Sequence, residues 1–172
     1  GFVFANVHIE NTAPKIKQRP LAESNTLLLN EFLEAQIDPH RGHLRSLHVP
    51  GKRGNRFSFS IARREVQDKA HQHSEMNADN VEMLSSSNVF GLIRAQGQLI
   101  EQGRRVGKFE IDYELWRGSR IVEVTVRLHE LQELLADPWR SAYILRFAWP
   151  TDAALVRVFE AGTRESLSSG SA

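Results

Sequence analysis

The chain has 172 residues, a formal net charge of +1 and no cysteine. That length supports one well-cored domain, and the missing thiols exclude disulfides and thiolate sites. The near-neutral charge gives no reason to expect nucleic acid or an anionic membrane as a partner, and no run of about 18 apolar residues is present to span a bilayer.

Gly1–Ile9 is apolar from the first residue and lacks an initiator Met. It reads as a strand entered in mid-protein, so the chain is expected to be a piece of a longer one. Residues 10–25, with Pro14 and Pro20, read as a connector. Thr26–Ile37 carries Leu29, Leu33, Ala35 and Ile37 in one phase and predicts a strand. Asp38-Pro39-His40-Arg41-Gly42 is turn chemistry, and His43–Val49 is the return strand of a hairpin. After the turn-rich Pro50–Asn55, Arg56–Ala62 alternates Phe57, Phe59 and Ile61 with Ser58, Ser60 and Ala62.

Residues 63–88 are polar and poorly periodic, and read as a long loop. Val89–Glu101 returns to strand, and Gly103-Arg104-Arg105 suits a three-residue hairpin loop that sets Leu99 opposite Phe109 and Ala95 opposite Tyr113. In Val106–Leu128, Phe109, Ile111, Tyr113 and Leu115 alternate with Lys108, Glu110, Asp112 and Glu114. Val122, Val124, Val126 and Leu128 repeat the pattern. A turn at Gly118-Ser119 then faces Leu115 with Val122, Tyr113 with Val124, Ile111 with Val126 and Phe109 with Leu128. A one-residue slip would set apolar side chains against charged ones, which fixes the parity of the pairing. Glu130–Ala136 reads as one or two helical turns ended by Asp137-Pro138. Tyr143–Trp149 and Leu155–Phe159 are two further strands, and residues 163–172 form a frayed tail. About nine strands with a long antiparallel meander predict an all-β sandwich, spanning 1–172 as one domain or part of one.

Several segments resemble glycoside hydrolase family 38, the α-mannosidases, across roughly residues 19–160. Leu29-Asn30-Glu31-Phe32, Ile37-Asp38-Pro39, Gly42-His43-Leu44 and Ser46-Leu47 are similar to the opening strands of that family's non-catalytic β-domain. Arg19-Pro20-Leu21 with Asn25-Thr26-Leu27 resembles its lead-in. Tyr113-Glu114-Leu115 with Gly118-Ser119-Arg120-Ile121 resembles its meander, and Tyr143–Pro150 with Ala154–Phe159 its later strands. Gln67–Asp79 lacks the acidic, Trp-containing segment of many relatives, and His129-Glu130 stands where many carry Trp, which marks a divergent branch. The resemblance implies a β-supersandwich of the galactose-mutarotase-like kind. It also implies that the hydrolytic machinery, a zinc ion held by His and Asp with a carboxylate nucleophile, sits on a separate preceding α/β barrel. No motif here matches that machinery, so no catalytic or metal residue and no cofactor is assigned to this chain.

The residues themselves offer weak chemistry. His71 and His73 with Glu75 form a metal-like cluster, but zinc takes three or four convergent ligands and a solvated loop explains the pattern better. Glu110, Asp112 and Glu114 sit about 6.6–6.8 Å apart on alternate positions, which overlaps the spacing of inverting-glycosidase carboxylates. A wet strand face balanced by Lys108, Arg120 and Arg127 shows the same spacing. Among Trp116, Trp139 and Trp149, Trp116 beside the hairpin turn is the candidate platform for stacking on a sugar ring.

The leading expectation is a non-catalytic β-sandwich portion of an α-mannosidase-like glycoside hydrolase, inactive alone. It would pack on the catalytic domain of its parent and help shape one wall of the sugar site. An autonomous carbohydrate-binding module using Trp116 is the second reading. A mutarotase- or lyase-like enzyme is the third, and requires His43, His48 or His129 to face a carboxylate in a cleft.

Overall fold

The computed structural model describes residues 19–67, 70–137, 139–149, 156–160 and 163–167, the last two by backbone alone. The strand read at Gly1–Ile9 and residues 168–172 of the tail lie outside the described residues. Among the described residues there is no helix, and the strands form an antiparallel β-sandwich.

The first sheet contains β1 (Ala22–Ser24), β2 (Leu27–Leu29), β3 (Glu34–Ile37), β4 (Leu44–His48), β5 (Phe57–Gln67) and β11 (Ser141–Ala148), neighbours in that order. A short β6 (Ala70–His73) pairs with the far half of β5. The second sheet runs β10 (Val122–His129), β9 (Arg104–Trp116), β8 (Phe90–Glu101), β7 (Glu75–Ser86). A separate hairpin joins β12 (Val156–Glu160) to β13 (Thr163–Leu167).

The sheets pack crosswise. At one end of β7 and β8, the Ser86 hydroxyl donates to the Ala22 carbonyl oxygen (2.7 Å). At the other end, the Arg63 amide donates to the Ser74 hydroxyl (2.7 Å), and the Arg63 guanidinium pairs with Glu101. The stack β1 to β5 is thus laid along the length of the β7 and β8 strands, an orthogonal arrangement. Between them lie Leu28, Ala35, Ile37, Leu44 and Ile61 from one sheet and Ile93, Leu99, Ile111, Tyr113 and Leu115 from the other. Each large apolar side chain buried this way contributes about 1.5–3 kcal/mol.

The β9–β10 register is the one that a reversal at Gly118-Ser119 predicts, with Leu115, Tyr113, Ile111 and Phe109 opposite Val122, Val124, Val126 and Leu128. The ladder stops at that first pair, so the connection spans 117–121 and is longer than Gly118-Ser119 alone. Other expectations are corrected. The β8–β9 pairing sets Gly97 opposite Phe109 and Ile93 opposite Tyr113, two residues from the predicted register. Gln102 (φ 49°) and Gly103 (φ 77°) form a two-residue turn with both residues left-handed, and a bulge at Val106 absorbs the extra residue. The predicted 63–88 loop is instead the end of β5, then β6 and β7. Its period is broken because Asp79 and Leu84 are extra residues in β7, so Met76 and Ala78 share a face with Val81 and Met83 only after a phase change.

Thr26–Ile37 is a hairpin rather than one strand, because β2 ends at Leu29 and the chain reverses through Asn30–Leu33. Within the supposed connector 10–25, Ala22–Ser24 is β1, and within the supposed tail Thr163–Leu167 is β13. Glu130–Ala136 forms no helix. The Gln132 amide bonds the bulged Val106 carbonyl (2.9 Å), and the segment's Leu131, Leu134 and Leu135 stay exposed.

Candidate functional site

Trp116 ends β9 in the outward phase of Glu110, Asp112 and Glu114, and its cross-strand partner is Phe90. The two rings lie 4.5 Å apart between centroids at 41°. Trp116 remains 43% exposed. The pair therefore makes an amphipathic aromatic ledge open to solvent.

The ledge rests on the β2–β3 turn. Asn30 is only 5% exposed and uses both ends of its amide. Its Oδ1 accepts from the Phe32 and Leu33 amides (2.9 and 2.8 Å), which closes its own turn. Its Nδ2 donates to the carbonyl oxygens of Trp116 and Ser119 (2.9 and 2.8 Å), which holds the 117–121 turn. Glu31 then accepts from the Gly118 amide (2.7 Å) and pairs with Arg117 (3.4 Å). Backbone hydrogen bonds, its own amide's first and then Gly118's, with Arg117 beside them, hold the Glu31 carboxyl below its usual range. Arg117 also donates to the Arg19 and Asn88 carbonyl oxygens (2.6 and 3.0 Å). An apolar ledge flanked by a fixed carboxylate and a fixed guanidinium can offer a sugar a stacking face and hydroxyl partners. It supplies no group poised to transfer a proton.

The three β9 carboxylates do not share one environment. Asp112, 5% exposed, accepts from Arg94 at both oxygens (2.6 and 2.9 Å) and from Arg127 (2.7 Å). The hydrogen bond from Arg94, joined by that from Arg127, lowers its carboxyl below the ordinary range. A general acid needs the opposite shift. Glu110 accepts from Gln96 (2.7 Å) and Arg127 (2.9 Å), completing a cross-strand charge network over β8, β9 and β10. The spacing that resembles a glycosidase pair is occupied by structural ion pairing.

An opening of 350 Å³ lies at the β5–β7 end, lined by Arg41, His43, His73, Glu75, Arg146 and Phe147 among others. Burial pushes the His43 imidazole down, against the opposing pull of Asp38. Glu75 lines the same opening as His43, whereas His48 Nδ1 meets the Gly54 carbonyl oxygen (3.2 Å) and His129 is exposed at the end of β10. His73 and Glu75 lie near each other on β6 and β7, while the His71 side chain lies outside the described residues. No group of three or more His, Asp or Glu side chains among the described residues is placed to hold a metal.

Trp139 is 82% exposed and Trp149 half-buried; neither joins the Trp116 ledge. The sequence reading missed Phe90, because the register displaced by two set Trp116 opposite Leu92. It also missed Asn30 and Glu31 as holders of the ledge. Their signal was a polar pair interrupting an otherwise apolar Leu27–Leu33. The chain matches no known family model, curated protein or solved structure.

Proposed function

We propose that this chain is a non-catalytic β-sandwich portion of an α-mannosidase-like glycoside hydrolase, packing on a catalytic barrel and helping to shape its sugar site. The observation that supports this reading best is the interlock of Asn30-Glu31 with Arg117-Gly118-Ser119. These are two of the segments similar to the family's β-domain, and Glu31 and Gly118, 87 positions apart, are hydrogen-bonded. The resemblance therefore covers residues that hold one another in the fold rather than scattered tripeptides. Half-covered apolar side chains on β11 and the segment before it, Phe147 and Leu145 with Leu131 and Leu135, supply a surface for the barrel to cover. The zinc chemistry belongs to that barrel.

The coding sequence upstream of the Gly1 codon tests the assignment. An α/β barrel carrying zinc-ligand His and Asp is expected there, and an unrelated upstream domain overturns it. The purified 172-residue chain should not hydrolyse an aryl α-mannoside, with or without added zinc. Robust turnover would also overturn the proposal.

The Trp116–Phe90 ledge favours a second reading, an autonomous carbohydrate-binding module. Calorimetric titration with mannose oligosaccharides should then give a Kd of about 1 mM or tighter, abolished in Trp116→Ala and Phe90→Ala. No heat of binding at ten times that concentration would sink it.

A further inference from the structure

We propose that β10 is the joint of a homodimer, pairing antiparallel with β10 of a second copy about a twofold axis at Thr125.

The outer strands of the two main sheets are not equally protected. Folded proteins guard sheet edges with short strands, bulges, proline, lysine or inward charges. β1 has three residues, and β7 carries two bulges. β10 is eight residues long, pairs with β9 without a bulge, and contains neither proline nor lysine. Among the described residues β9 is its sole strand partner. Its core-facing row is entirely apolar (Val122, Val124, Val126, Leu128), yet Val124 is 37% exposed and the adjoining Ile121 65%.

Charge selects both the occupant and the register. On the outward row, pairing about Thr125 sets Glu123 opposite Arg127 of the second copy, twice by symmetry, with Thr125 opposite its own mate. The inward row then sets Val124 opposite Val126 and Val122 opposite Leu128. Shifting the axis by one residue either way leaves Glu123 facing Thr125 or His129. Shifting it by two sets Glu123 against Glu123 or Arg127 against Arg127. Opposite charges directly across a strand pair stabilise it and like charges oppose it. Glu123 makes no ion pair among the described residues. Among the described residues Arg127 uses Nη1 alone, toward Glu110 and Asp112, which leaves its Nη2 and Nε for a partner. The other regular edge, β11, carries Arg146 as its single charge and lacks this complementarity. A twofold joint closes on itself and makes one continuous eight-stranded sheet from two four-stranded ones.

Sedimentation of the whole chain over a range of concentrations is the first test, and a monomer–dimer equilibrium is expected. Glu123→Arg should weaken association about tenfold, since both cross-strand pairs become repulsive. Glu123 is exposed and unpaired, so circular dichroism of that variant should be unchanged. The chain has no native cysteine, so Thr125→Cys reports the register directly. Residues facing each other across the twofold axis lie about 4.5–5.5 Å apart between Cα atoms, within disulfide reach. Oxidised Thr125→Cys should run as a covalent dimer, whereas Glu123→Cys should not. Mixed Glu123→Cys and Arg127→Cys chains should cross-link with each other. A monomer at every concentration, larger open polymers, or cross-linking of Glu123→Cys in preference to Thr125→Cys would overturn the proposal.

Discussion

Tyr113 donates its buried hydroxyl to the carbonyl oxygen of Gly42 (2.9 Å), joining the middle of one sheet to the β3–β4 turn of the other. Gly42 has φ 72°, and a Cβ placed there would lie 3.0 Å from that of Ala95. The turn can reach the Tyr113 hydroxyl because glycine permits both the left-handed backbone and the close approach. Burial pushes the Tyr113 phenol far above its ordinary range, so it stays a neutral donor.

Tyr113→Phe should therefore cost about 1–3 kcal/mol, because the Gly42 carbonyl loses a buried partner. Urea denaturation measures it as a lower midpoint with an unchanged slope. An unchanged midpoint would show that the hydrogen bond contributes nothing net.

Asn30→Ala should be more severe, about 2–4 kcal/mol, since one side chain holds two turns. Asn30→Asp tests which end matters. It keeps the acceptor toward Phe32 and Leu33 but turns an anion on the Trp116 and Ser119 carbonyls. Comparable destabilisation by both variants, with Trp116 fluorescence altered in the native state, is the expected result.

The charge network sets a pH dependence. Asp112 has its folded pKa lowered by Arg94 and Arg127, with Glu110 and Glu82 also near Arg94. Its contribution is fully present above the unfolded value of about 3.9 and is lost as pH falls through the lower folded value. Asp112→Asn should be less stable than the parent at neutral pH, and the two unfolding free energies should converge under acid. A constant difference from neutral pH down to about pH 2 would contradict this.

Gly97→Ala should fail to fold or lose more than about 3 kcal/mol. A Cβ there would lie 2.2 Å from the Asn77 carbonyl oxygen and 2.7 Å from the Ala78 Cα, both backbone atoms of the adjacent strand. Thermal melts of soluble protein would decide. A variant as stable as the parent would mean that β7 can move aside.

Parity was legible wherever apolar and charged residues alternate without interruption. The β9–β10 pairing came out residue for residue: alternation excluded every odd shift, which would turn the valine row outward, and placing the reversal at Gly118-Ser119 selected among the even ones. The β8–β9 pairing came out with the right faces and a register displaced by two. An even shift leaves every side chain on its own face, so the pattern cannot distinguish it. The left-handed Gln102-Gly103 turn and the Val106 bulge decide it. In β7 the same pattern misled, since Asp79 and Leu84 each reverse the phase of the residues after them.

The sequence by itself determined that this is an all-β chain, which rows of side chains face the core in the uninterrupted strands β8, β9 and β10, and which aromatic stands beside the hairpin turn. Those properties follow from a strand's two-residue repeat and the local chemistry of glycine turns. Tertiary structure decided that Asn30 and Glu31 brace Trp116, that Phe90 is its companion, and that Asp112 is claimed by two arginines. Each of those pairings joins different strands. Side-chain hydrogen bonds and ion pairs of that range depend on where strands meet in space, and strand alternation records only which way each residue points.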